Sequence, residues 1–267
     1  MDSQLQRRFL SSYGPAVQTL VEEAGVADAG ALQEPHLPLW GESYSLSSVR
    51  LAFIGRDTRN WGEMTPFLSQ ARENSEDACL RWQQYFRGLP FVDWTNRAGT
   101  SFWDTVFRIL ACVYGVENWK DLRQRKQEHL LRTFVWAETN SVELWSAQSV
   151  ARWEMRTQKK ADAATWRKLK AASERSLDRL SLILDVFSPH AVIVLNWCVP
   201  AHYWDRPLAW SAVSHYLRHA VDQPTGTHVF HTAHPAWLGR SRGRLPQIVK
   251  LISERLPSGA KCDGTSF

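Results

Sequence analysis

The sequence predicts an α/β fold: a three-layer α/β/α sandwich around a central, mainly parallel, four-stranded sheet. Three observations lead there. Four short, largely apolar runs recur along the chain, the first ending at a glycine. Longer segments with helical spacing separate them. The first run, VRLAFIG, is short and apolar as expected of a buried parallel strand, and strands alternating with helices argue for a parallel sheet covered on both faces.

The elements follow in order. Gln4 to Glu23 places Leu5, Phe9, Leu10, Val17, Leu20 and Val21 near helical spacing and reads as an amphipathic helix. Gly25 to Ser48 carries glycine and proline and reads as a long arm, so residues 1–48 form an N-terminal helix and arm. The first strand is Val49 to Gly55 (VRLAFIG), and its terminal glycine opens a loop. The others are Arg132 to Thr139, His190 to Trp197 and Thr227 to Pro235. Helices are expected over Thr65 to Phe86, Ser101 to Tyr114, roughly Ser141 to Val186, Ala201 to Val221 and Leu245 to Leu256. No repeat or low-complexity linker divides the 267 residues, so 1–267 reads as one domain with a helical basic insertion over 141–186. In such sheets ligands bind at the carboxyl ends of the strands. Asp57, Asn140, Asn196 and His234 follow those ends.

Composition excludes some classes. Hydrophobic residues make up 44% and charged residues 22%, which suits a packed core. No run is long enough to cross a membrane, and the N-terminus lacks the apolar region of a signal peptide. The expectation is a cytoplasmic, monomeric protein with no membrane partner. Cys79, Cys112, Cys198 and Cys262 are far apart and form no CxxC, so four free thiols are expected. The net charge of +5 and pI of about 9.1 are compatible with a polyanionic partner. Val150 to Arg179 concentrates lysine and arginine. That stretch reads either as a solvated helix face or as a contact to a DNA backbone.

Two loops carry chemistry. After the first strand the chain reads GRDTRNWGE, Gly55 to Glu63; after the last it reads HPAWLGR, His234 to Arg240. Between them lie GLPFV (Gly88 to Val92), RAGTSF (Arg97 to Phe102) and ETN (Glu138 to Asn140). In this order, each at a strand end or helix start, the motifs resemble those of the uracil-DNA glycosylase superfamily, whose signature loops are usually written GQDPY and HPSPL. The match spans roughly Val49 to Leu256.

The resemblance implies a monofunctional DNA N-glycosylase that flips a base and leaves an abasic site. Breaking an N-glycosidic bond builds positive charge on the sugar and negative charge on the base. Asp57 would orient water and stabilise the sugar cation, and His234 would donate a hydrogen bond to the departing base. Gly55, Arg56, Arg59, Phe91, Asn140 and Trp237 would surround the base, with Asn140 on its Watson–Crick edge and Phe91 stacked on it. Leu238 would be the wedge entering the base stack, and Ser101, Arg240, Arg242 and Arg244 would contact DNA. Plainer readings stand beside each: a turn aspartate for Asp57, a helix cap for Asn140, a structural histidine and a core phenylalanine. His231 and His234 form an HxxH whose members point to opposite faces of a strand. No metal and no cofactor is expected.

The chain departs from the family pattern at Thr58 and Arg59, where proline and a gating tyrosine are usual, and at Ala236 and Trp237. It also lacks the cysteine quartet of the iron–sulfur branch. The departures redraw the pocket rim and leave room for a modified pyrimidine; in this the chain resembles the superfamily's prokaryotic antiviral branch, which excises hypermodified cytosine from phage DNA, and the resemblance implies a target such as glucosylated hydroxymethylcytosine. The alternatives are a housekeeping glycosylase for uracil or another deaminated base, and a catalytically silent DNA-binding module. No G-x-S-x-G, P-loop or G-x-G-x-x-G follows a strand, which argues against other α/β enzymes.

Overall fold

The computed structural model describes residues 2–25, 33–55, 62–83, 100–124, 127–142, 160–240 and 243–256. The chain is α/β, with one seven-stranded mixed sheet. Its strands are β1 (Leu39–Trp40), β2 (Leu51–Gly55), β3 (Phe134–Glu138), β4 (Ala191–Val194), β5 (Ser211–Ser214), β6 (Leu217–Asp222) and β7 (Thr227–Thr232), in the order β1-β3-β2-β4-β7-β6-β5. The four expected strands are β2, β3, β4 and β7, and they form the parallel centre. Among the described residues the sheet has seven strands in place of the expected four, because antiparallel strands flank that centre on both sides.

Every residue of β2, β3 and β4 is buried. Side chains alternate between the two faces with period two. Ala52, Ile54, Val135, Ala137, Val192 and Val194 meet one helical layer. It holds α1 (Ser3–Ala24), α2 (Met64–Glu73), α3 (Ser75–Leu80), α6 (Lys160–Ser176) and α7 (Leu180–Phe187). Leu51, Phe53, Phe134, Trp136, Ile193 and Phe230 meet the other, formed by α4 (Thr100–Tyr114), α5 (Lys120–Arg123) and α9 (Arg244–Ser253). A short helix, α8 (Pro235–Leu238), follows β7.

Three expectations change. The helix expected over Ala201 to Val221 is a short 3-10 turn, Ala201–Tyr203, followed by the β5–β6 hairpin. Val213, Tyr216, Leu217 and Ala220 mimic helical spacing, but backbone pairing of β6 along all of β7 prevails. The helix expected from Thr65 breaks at Asn74, whose side chain caps α3 by accepting from the N–H groups of Glu76 and Asp77. The arm is not featureless: Leu39–Trp40 adds an antiparallel strand to β3. The first part of the 141–186 insertion lies outside the described residues. The rest is α6 and α7, where Lys170 pairs with Glu174 and Arg175 with Glu23.

Cys112 is disulfide-bonded, and its partner lies outside the described residues. Cys79 and Cys198 are free. The expectation of four free thiols is thus corrected; wide spacing in sequence does not prevent meeting in space. Among the described residues no helix is long and apolar enough to cross a membrane.

The turn after β3 is tied to the α6–α7 junction by Asp178. Its buried carboxylate accepts from Ser141 N at 2.7 Å and from Ser173 Oγ at 2.6 Å. Asp178→Ala should lower the unfolding free energy by about 1–3 kcal/mol in a urea titration, because a buried N–H is left unsatisfied. An unchanged midpoint would mean that other contacts hold the turn.

Candidate active site at the carboxyl edge of the sheet

Counting parallel strands in chain order, the central sheet runs second, first, third, fourth. The order in which strands are added therefore switches sides between the parallel strands β2 and β4, and a crevice is expected outside their carboxyl ends. Residues 56–61 follow β2 in the chain. Arg56, Asp57 and Arg59 lie outside the described residues, as do Phe91 and Arg242, but both ends of that segment are defined.

Each end is a glycine covered by a buried carboxyl group. Gly55 pairs with Glu138 across the β2–β3 ladder. A Cβ on Gly55 would lie 2.5 Å from Glu138 Oε2. Glu138 cannot easily yield, since it is buried and its Oε1 accepts from Trp136 Nε1 at 3.0 Å. At the other end Gly62 has φ +102, which favours glycine. A Cβ there would lie 2.5 Å from the Glu34 carboxyl carbon. Glu34 N also donates to Gly62 O at 3.2 Å, and Gln33 bridges to Glu63.

Glu34 and His36 bring unusual electrostatics to this edge. The Glu34 side chain is fully buried, with Arg81 Nε 3.6 Å away. Burial pushes its pKa up to about 8, against the opposing pull of Arg81. His36 is buried, with its ring 4.5 Å from that of Trp136, and burial pushes its pKa down to about 3. Both groups are therefore neutral near pH 7. Sequence reading missed them because the arm carries no periodicity.

Asn140 is half-buried on a backbone pinned from both sides. Thr139 N donates to Gly55 O at 3.1 Å; His36 N donates to Ser141 O at 2.9 Å. Asn196 is buried and braces the same edge. Its amide reaches Thr139 Oγ1 at 3.4 Å, and its Oδ1 accepts from Cys198 N at 3.0 Å. A small cavity beside the Asn140 turn is lined by Tyr13, His36, Ser141, Arg179 and Tyr203, among others.

His234 is exposed and caps α8. Its Nδ1 accepts from Ala236 N at 3.2 Å, so the neutral ring carries its hydrogen on Nε2. That is the tautomer that can donate. Trp237 is partly exposed and packs against Tyr216 and Arg244. Arg240 is exposed, Arg244 opens α9, and Ser101 is half-buried in the first turn of α4.

One assignment fails. Leu238 has no exposed surface and belongs to the core beside Ile248, Val249 and Ile252. The turn of α8 directs it inward, so it is a core residue and not a wedge. His231 is likewise structural. It is buried, its Nε2 donates to Asn196 O at 2.8 Å, and Trp197, Trp204 and Trp210 surround it. Among the described residues no group of three His, Cys, Asp or Glu side chains could hold a metal ion.

The fold is thus α/β, and the carboxyl edge of its sheet brings together Gly55 and Gly62 under buried carboxyl groups, the turn at Asn140 and the exposed His234. No family model, curated protein or solved structure matches the chain.

Two outcomes follow. A carboxyl whose pKa rises from 4.5 to about 8 on folding costs stability as pH climbs through that window, because only the unfolded chain ionises there. Glu34→Gln should therefore raise the melting temperature at pH 8 relative to the parent and leave it nearly unchanged near pH 4.5; an equal offset at both would contradict the burial effect. Leu238→Ala should cost about 2–5 kcal/mol in chemical denaturation, the range for emptying a core site. A loss well under 1 kcal/mol would point to a surface position instead.

Proposed function

We propose that the chain is a monofunctional DNA glycosylase that hydrolyses the N-glycosidic bond of a flipped, modified pyrimidine. A glucosylated hydroxymethylcytosine of phage DNA is the favoured target, and antiviral defence the favoured setting. The observation that carries the reading is the His234 cap. An exposed imidazole in its Nε2–H form leaves the same sheet edge as the loop bearing Asp57. One strand, β4, separates their parent strands, which puts their origins roughly 10 Å apart, a span able to receive a nucleotide between them. The resemblance of the two loops to the uracil-DNA glycosylase signature supports the same assignment of roles.

In this mechanism Asp57 directs a water to C1′ of the deoxyribose. The new C–O bond forms as the C1′–N bond breaks, and the bonding pair leaves with the base. His234 Nε2–H donates to the base oxygen where negative charge collects, and the water's proton ends on the released base. Phe91 and Asn140 hold the base. The pinned backbone on either side of Asn140 favours a reader that does not need to reorganise. Arg59 and Trp237 form the rim facing a 5-substituent. No step calls for a cofactor.

Purified protein incubated with glucosylated phage DNA should generate alkali-labile abasic sites. Unmodified DNA should give none, and uracil DNA few. Asp57→Asn and His234→Ala should each slow the reaction by about 100-fold or more. Breaks that persist in both variants, or no breaks in any DNA, would reject the proposal.

A further inference from the structure

Among the described residues the exposed bulky apolar side chains are Leu46, Trp197 and Trp237. The two tryptophans are exposed to 38% and 36% and share a design. Both follow the carboxyl ends of neighbouring parallel strands, Trp197 after β4 and Trp237 after β7. Both carry an arginine over the ring: Arg218 lies 5.0 Å from the Trp197 centroid, Arg244 4.7 Å from that of Trp237. Both are supported by a second ring. Trp197 lies nearly parallel to His231, at 5.0 Å and 21°, and Trp237 meets Tyr216 at 4.6 Å.

The support behind Trp197 is rigid. His231 and Arg218 are direct partners across the β6–β7 ladder, so they stand side by side on one sheet face. Trp197 lies against both and keeps 38% of its surface exposed. His231 is fixed in turn by its bond to Asn196 O at 2.8 Å. Behind Trp237, Arg244 lies over both the indole and Tyr216, the latter at 4.8 Å. A flat, electron-rich surface held rigidly and backed by a cation suits a planar ligand attached to an anion, which describes a nucleobase on its phosphate chain.

We infer that Trp197 and Trp237 are stacking platforms for unpaired bases beside the target, and that the strand taken at this edge is single-stranded DNA. The inference rests on the glycosylase reading and names its substrate form. Buried Leu238 points the same way. Extracting a base from a duplex costs unstacking and unpairing, least when the strand is already single. The residue expected to fill the vacated stack lies in the core instead. Stacking on aromatic rings with arginine support holds unpaired bases without regard to sequence.

The test is equilibrium binding, followed by fluorescence anisotropy. The probe is a labelled, unmodified oligonucleotide of roughly 15 nucleotides, used single-stranded and as its blunt duplex. The single strand should bind at least about tenfold more tightly than the duplex, and Trp197→Ala and Trp237→Ala should each weaken single-strand binding by about tenfold. Trp197→Phe should restore most of the loss, which separates stacking from a folding defect. Equal or tighter duplex binding would overturn the inference, as would alanine variants that bind the single strand like the parent. No excision is needed to read this assay, so a protein that binds single strands through the tryptophans yet makes no abasic sites would reject catalysis and leave the platforms standing.

Discussion

Close packing of carboxyl groups on glycines governs the carboxyl edge of this sheet. At Gly55 and at Gly62 the backbone approaches a buried glutamate so closely that no β-carbon fits. The two contacts lie at the two ends of one loop, and each glutamate belongs to another element: Glu138 to β3, Glu34 to the arm after α1. The loop's exit and return are thereby indexed to the sheet and to the N-terminal arm together. Thr139, Ser141 and Asp178 extend the same bracing to the turn that presents Asn140. A site that must hold water, sugar and base in register benefits from a frame of this kind, since small misplacements of reacting groups are expensive in rate.

That frame puts ionisable groups in dry places. Glu34 and His36 are both neutral at physiological pH because burial disfavours their charged forms. Their effects on stability run in opposite directions. His36 destabilises the fold as pH falls below its ordinary value of 6.5, because only the unfolded chain gains that proton, and Glu34 destabilises it as pH rises above 4.5. Such pairs of displaced groups cluster at functional edges. Here Glu34 covers Gly62, and His36 packs on Trp136 and holds the turn at Ser141.

The parallel centre was legible because its strands are short, mainly apolar runs separated by segments of helical spacing. Leu51–Gly55 and Ala191–Val194 are buried along their whole length, which an apolar run reports directly. The helices α1, α4 and α9 were legible from apolar periodicity. The β5–β6 hairpin was not, since Val213, Tyr216, Leu217 and Ala220 happen to fall at helical intervals and only pairing with β7 decides the outcome. At the site, His234 could be read from the strand-end H-P step, and Gly55 from the end of its apolar run. Glu34 and His36 could not, because their significance comes from burial against residues distant in sequence. Leu238 was misjudged for a related reason: motif position does not reveal which way a short helix turns its side chains. Trp197 and Trp237 are two tryptophans among fourteen, and among the described residues their exposure together with an overlying arginine distinguishes them.

Catalysis at this edge is tested most directly by the small molecule it would release. Phage DNA carrying glucosylated hydroxymethylcytosine, incubated with the protein, can be filtered and the filtrate analysed by mass spectrometry. Hydrolysis of the N-glycosidic bond predicts the intact modified base, free of deoxyribose and phosphate, accumulating in step with abasic sites in the retained DNA. Nucleosides or nucleotides in the filtrate, or no small product at all, would contradict it.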